Sequence, residues 1–454
     1  MKTLSQPATA SSSAELKRAL GLTDCALLVI GSVIGSGIFL TPGNIAATVQ
    51  SVESMFLVWV LGGVLSFFGA LAYAELGAMF PRSGGIYVFL REAYGPLLAF
   101  LYGWCTFFVM QSGSIATLAA GFAIYLGYLL PVSSLVAKLC AIGVIGFLVL
   151  INCLGVRAGS RVQNLLTVIK MGSLVGISLV LFLTSGGSMQ HFSYAPSPPV
   201  AFSWGALGIA MIAVLWAYEG WHILTYNAGE VHNPNRNLTG GLLFGTLAII
   251  ALYLTVNLAY LYAVPFEKIS GSKRLASDAM ELAMGPVGGT LIALAILISI
   301  SGAINSNVLG GPRVYFAMAR EGLFFRRFAY VQPHYRVPTF SIIVQGLWAS
   351  VLTLVGNFDQ LFSYVIFVCW IFYGLGGIAV VVLRRRQPDA ERPYKTWGYP
   401  VVPLLFALMA FLIVLNTIVN DFKNAFWGLL FVITGLPAYF YWQRKRSLTS
   451  LEQG

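Results

Sequence analysis

Charge is what this chain has least of. Asp, Glu, Lys and Arg make up 9% of its 454 residues, and only 16 of them are acidic. A soluble domain carries about 25% charged residues, so a soluble protein of this length is excluded. Histidine is almost as scarce, at four residues with no metal-spaced pair. The five cysteines (Cys25, Cys105, Cys140, Cys153 and Cys369) are scattered and show no CxxC spacing. They read as small apolar packing residues rather than as a disulfide framework or redox centre. Neither a clustered metal site nor a nucleophile–base set at membrane depth is visible, which argues against an integral-membrane enzyme and leaves no cofactor to expect.

Apolar sequence fills the space. Hydrophobic residues are 58% of the chain, and runs long enough to cross a bilayer recur along nearly its whole length. We divide it into twelve spans: 23–48, 54–79, 96–127, 135–155, 161–184, 204–229, 238–264, 286–318, 339–356, 359–383, 399–420 and 422–443. Residues 1–20 are polar, with Lys17 and Arg18 just before the first run. That run therefore reads as a retained span behind a disordered tail, not a cleaved signal.

The net charge of +11 is explained by its placement. With a cytoplasmic N-terminus, 21 of the 27 basic residues fall on that side, including Arg384–Arg386 and Arg444–Arg446. Only Lys268, Lys273, Arg274 and Lys423 fall on the other. This is the positive-inside pattern, and it predicts both termini in the cytoplasm of a multi-pass protein of the plasma or bacterial inner membrane. A nucleic-acid partner is not expected. The sequon "NLT" at 237–239 lies on the predicted cytoplasmic side and is discounted.

Within lipid every backbone group needs a partner, so spans should be unbroken helices unless they line a cavity. Two are weakened. Span 1 holds "VIGSGIF" (33–39), with Gly31, Gly35, Ser36 and Gly37, followed by Pro42. Span 6 holds Glu219 and Gly220 within "LWAYEGWHILTYNAGE". The glycines of span 1 also fit close helix packing, since Gly31 and Gly35 have small-xxx-small spacing. Parity favours a break. Spans 1 and 6 are the first members of two five-span units of opposite orientation, and interrupted helices at matching positions point to a transporter site.

Intramembrane charges need reasons. Asp24 and Glu75 lie near cytoplasmic helix ends, where solvation accounts for them as well as any role. Glu219 lies deep, and three residues on His222 shares its helical face, as a partner or a second substrate contact. Lys170 is the cation deep in spans 2–10. It suits a fixed positive charge in place of a bound sodium ion, or a pairing with helix carbonyls.

Several blocks, in order, carry a resemblance. They are "VIGSGIF", "AYAELGAMFPRSGGIYVFLREAYG" (72–95), "WAYEGW" (216–221), "GEVHNPNRN" (229–237), "GGPRVYFAMAREGLFF" (310–325) and "ERPYKTWGYPVVP" (391–403). With them the chain resembles the amino acid–polyamine–organocation superfamily, and within it the L-amino acid exchangers related to light subunits of heteromeric amino acid transporters. The resemblance implies an all-α polytopic membrane protein with a LeuT-like 5+5 inverted repeat and two extra C-terminal helices. The divisions are a tail (1–20), two repeats (21–184 and 185–384), helices 11 and 12 (385–443) and a second tail (444–454).

It further implies an L-amino acid carrier working by alternating access, as a sodium-independent exchanger. N–H groups of Gly35, Ser36 and Gly37 would hold the substrate carboxylate, as the positive end of a half-helix should. The ammonium would meet Val33, Ile34, Trp216, Ala217 and Glu219. Trp216 would cover the substrate, and Lys170 would replace sodium. Glu219 and His222 depart from the commoner small residue and Asn. That keeps open a proton-coupled symporter of cationic amino acids or polyamines, with Glu219 carrying the proton. The loop at 127–135 holds no cysteine, so no disulfide-linked heavy subunit is expected.

Overall fold

The computed structural model describes residues 16–194, 201–356 and 358–451, with the side chains of 358–360, 362–363 and 447–451 undescribed. Most of the expected N-terminal tail, residues 1–15 with Lys2, lies outside this description. The described chain is helical, with one isolated parallel bridge, Leu20 to Val231.

The helices, in order, are α1 Leu22–Val33, α2 Gly37–Val49, α3 Val52–Met79, α4 Ile86–Tyr94, α5 Pro96–Cys105 and α6 Gln111–Leu129. A π-helical turn, Thr106–Met110, joins the last two. Then come α7 Ser134–Cys153, α8 Val156–Leu183, α9 Trp204–Ala217, α10 Ile223–Tyr226, α11 Pro234–Ala263, α12 Phe266–Ile269 and α13 Leu275–Met284. The series ends with α14 Pro286–Gly310, α15 Pro312–Arg320, α16 Thr339–Val355, α17 Phe358–Arg386, α18 Val401–Asn420 and α19 Phe422–Leu451. Helix starts follow local chemistry. Ser51, Ser133 and Ser203 cap α3, α7 and α9 by accepting from Ser54, Val136 and Ala206 N–H, and proline opens α5, α11, α14 and α15.

Among the described residues nine helices or continuous helix pairs are long and apolar enough to cross a membrane, and the bent pair α1–α2 makes a tenth. The apolar helices α9 and α16 are shorter. This is a polytopic membrane protein. Side chains at its helix contacts include a buried amide ladder. Asn152 Nδ2 donates to Asn305 Oδ1 at 2.7 Å, and Asn305 Nδ2 donates to Gln163 Oε1 at 3.0 Å, joining α7, α14 and α8.

Several expectations change. The stretches 80–95 and 265–285, left between the expected spans, contain α4, α12 and α13. The last helix runs past 443 to Leu451. Residues 19 and 20 are pinned: both N–H groups donate to the Glu230 carbonyl, at 2.7 and 3.0 Å. Glu75 is fully buried rather than solvated. Arg384 grips both its oxygens, at 2.8 and 2.7 Å, and Thr396 N–H donates at 2.7 Å. Arg313, counted among the basic residues of one membrane side, is fully buried in protein and pairs with Glu230 Oε2 at 2.8 Å. A buried charge is tolerated when partnered in this way.

Candidate functional site

Both weakened stretches are breaks. α1 stops at Val33, Ile34 turns to extended backbone with ψ 92°, and α2 starts at Gly37 with its axis turned by 41°. α9 stops at Ala217, and the chain turns through Gly220, whose φ is +120°, before α10 begins at Ile223. Glycine takes that left-handed value without cost. A Cβ on Gly220 would lie 2.8 Å from the Ser32 carbonyl, and one on Gly37 would lie 2.8 Å from the Ala217 Cβ. The two breaks pack on each other because both lack side chains at these points.

Between them is a void of about 20 Å³, lined by Ser32, Val33, Gly35, Ser36, Gly37, Ser114, Leu118, Trp216, Glu219, Gly220, Ile223 and Asn307. Its size suits roughly one water molecule. Of the expected contacts, Val33, Gly35, Ser36, Gly37, Trp216 and Glu219 line it. Ile34, Ala217 and His222 do not. Ala217 packs behind Gly37, Ile34 is buried against the carbonyl network below, and His222 sits behind Glu219. Ser114, Leu118, Ile223 and Asn307 join the lining without any sequence signal pointing to them.

The C-terminal end of α1 has protein partners. Lys170 Nζ donates to Gly31 and Ile34 carbonyls, both at 2.6 Å. Tyr253 Oη donates to the Val33 carbonyl at 3.0 Å, and Ser299 Oγ lies 3.4 Å from the Ile34 carbonyl. Lys170 thus adopts the carbonyl pairing, on carbonyls that the break leaves without helical donors. Val33 and Ile34, expected to meet an ammonium, already accept these bonds; the Val33 carbonyl keeps a second lone pair, whereas that of Ile34 has two donors. At the N-terminal end of α2, the N–H groups of Ser36, Gly37 and Ile38 can find no partner in their own helix. They carry the positive end of its dipole.

Opposite them, Glu219 and His222 are close although they do not share a helical face, because the chain between them is a turn. Tyr373 of α17 connects them. Its hydroxyl donates to Glu219 Oε1 at 2.6 Å and lies 3.1 Å from both ring nitrogens of His222. Glu219 Oε2 and Ser36 Oγ are buried without a hydrogen-bond partner among the described residues. The void is therefore faced by a half-helix N-terminus and a hydroxyl on one side and by a carboxylate oxygen lacking a donor on the other.

Two spans interrupted at facing positions around a polar void within a helical membrane body are the arrangement that points to a transporter's binding site. The chain belongs to the amino acid permease family, whose model matches residues 20–436. It is thus an amino acid transporter of the amino acid–polyamine–organocation superfamily, and not an enzyme. It is 33% identical to the serine/threonine exchanger SteT of Bacillus subtilis (strain 168), over 95% of this chain and 98% of that protein. Identity to the human b(0,+)-type amino acid transporter 1 is 32%, over 94% of this chain and 88% of the relative. The rat large neutral amino acids transporter small subunit 2 is 29% identical, over 95% and 82%.

Proposed function

We propose that this protein is a sodium-independent L-amino acid exchanger working by alternating access. The observation that carries the reading is Lys170: its ammonium holds the Gly31 and Ile34 carbonyls at the break of helix 1, the place a bound cation would otherwise occupy. The substrate carboxylate sits on the N–H groups of Gly35, Ser36 and Gly37. Its ammonium faces Val33, Trp216 and Glu219, the expected contacts that line the void, while Ile34 and Ala217 support the breaks from behind. The void of about 20 Å³ is too small for any amino acid, so the half-helices must part to load and close to carry. The unpartnered Glu219 Oε2 favours substrates that bring a further hydrogen-bond donor, such as a side-chain hydroxyl or amine.

The proposal includes twelve spans, with α9–α10 and α16 completing the set, both termini cytoplasmic, and repeats at 21–184 and 185–384. It also includes operation without a disulfide-linked heavy subunit. In proteoliposomes loaded with labelled L-serine, efflux should require amino acid outside and be indifferent to sodium. Efflux into amino-acid-free buffer at the same rate, or accumulation driven by a sodium or proton gradient alone, refutes exchange.

A second reading is favoured by Glu219 alone. A buried carboxylate with one oxygen free and the other on Tyr373 suits a proton-coupled symporter of cationic amino acids. Glu219→Gln should then abolish the pH dependence of uptake, and unchanged dependence eliminates the role.

A further inference from the structure

A larger space than the void at the breaks runs along the flank of α8 and α11. It is a groove of about 360 Å³, lined by Val175, Leu179 and Phe182 on one side and Ala251 and Thr255 on the other, with Ile30 of α1 at its floor. That volume is in the range of ligand pockets. Its hydroxyls are spent on their own helices, Ser178 Oγ on the Leu174 carbonyl at 2.9 Å and Thr255 Oγ1 on the Ala251 carbonyl at 2.8 Å. What remains for water is acceptor capacity on these two oxygens in a wall that is otherwise apolar. Val175 and Leu179 are exposed along its rim, on helices long and apolar enough to lie in the bilayer. The solvent at that depth is hydrocarbon, and leaving the groove empty would forfeit contacts along its whole wall.

A second cavity, of about 350 Å³, lies at the C-terminal ends of the same two helices and is lined by Thr184, Ser185, His191, Ala263 and Lys268, among others. Lys268 is exposed, and His191 is fixed by Nδ1 to the Tyr262 carbonyl at 2.9 Å. From Thr255 to Ala263 is eight residues, about 12 Å along α11. Between the cavities Phe182 and Tyr262 face each other, with ring centroids 5.8 Å apart, and aromatic residues of this kind mark the membrane–water interface. An apolar trough followed, about 12 Å further along α11, by a cavity that carries an exposed ammonium matches the chemistry of one amphiphile.

We infer that groove and cavity form a single site for an anionic phospholipid, with an acyl chain along α8 and α11 against Ile30 and the phosphate at Lys268. The inference rests on membrane placement and not on exchange. Because Ile30 is in the last turn of α1, where its carbonyl accepts from Ile34 N–H at 2.9 Å, the lipid touches the broken helix directly.

The test is native mass spectrometry of the purified full-length protein offered phosphatidylglycerol or phosphatidylcholine, with Ala251→Trp, Lys268→Gln and a lipid-facing control, Leu347→Trp on α16. Wild type should retain one phosphatidylglycerol per chain, at least tenfold in preference to phosphatidylcholine. Ala251→Trp should lower occupancy by both lipids at least fivefold, and Leu347→Trp should not. Lys268→Gln should keep occupancy and lose the preference, a result independent of whether Ala251→Trp folds. No retained lipid, equal retention in Ala251→Trp, equal loss in Leu347→Trp, or a preference that survives in Lys268→Gln overturns the site.

Discussion

Gly220 is the residue on which the contact of the two breaks turns. Its φ of +120° lies where a side chain strains the backbone, and a Cβ there meets the Ser32 carbonyl. Gly220→Ala should cost about 1–3 kcal/mol, read as a lower thermal unfolding midpoint in detergent, with amino acid transport falling alongside. Gly37→Ala should act differently. Its Cβ presses on Ala217 and wedges the breaks apart, so transport should fall more than stability does, overpacking costing about 1–3 kcal/mol. Both glycines were legible in the sequence because a backbone anomaly is a local signal. Tyr373 was not, since nothing within α17 marks it; it is 154 residues from the carboxylate it holds. Glu75 stayed open between solvation and a role for a related reason: its partners Arg384 and Thr396 arrive from the far end of the chain.

At the scale of elements, the end of α1 depends on α8. Lys170→Met removes the donor to two buried carbonyls, at about 1–3 kcal/mol for each group left unpaired, so the unfolding midpoint should drop and exchange should fall at least tenfold. The segment after α10 depends likewise on Arg313, which holds Glu230 Oε1 and Oε2 at 2.9 and 2.8 Å. Glu230→Gln should cost about 3–5 kcal/mol, and Glu230→Gln with Arg313→Met should recover part of that in a double-mutant cycle of thermal stabilities. Full additivity of the two changes would mean the pair is not coupled. Long spans could be read from composition because each is a continuous apolar run; α3 was expected at 54–79 and found at Val52–Met79. The short helices α4 and α13 escaped because Arg91, Glu92, Asp278 and Glu281 break up their apolar runs, and only packing against neighbours shows them to be helical.

For the whole molecule, the charge asymmetry makes a directional prediction. In a background with Cys140 and Cys153 replaced by Ser, a cysteine at Ser272 should react with an impermeant maleimide from outside intact cells. A cysteine at Asp389 should react only after permeabilisation. The reverse pattern would invert the orientation. Parity and two interrupted runs suggest an inverted repeat, but which helices pack on which was not legible, because register between distant helices is not encoded in any one of them.

One small feature constrains how such a molecule can move. Ala19 and Leu20 donate to the Glu230 carbonyl, and His232 N–H donates back to the Leu20 carbonyl at 2.9 Å. The chain entering the first broken helix is thereby stitched to the chain leaving the second. A tether at that point acts like a yoke: α1 cannot swing outward by itself without either unpicking three backbone bonds or dragging the segment after α10 along with it. The segment entering the first broken helix and the segment leaving the second are harnessed together, and any movement of one is a paired stroke with the other.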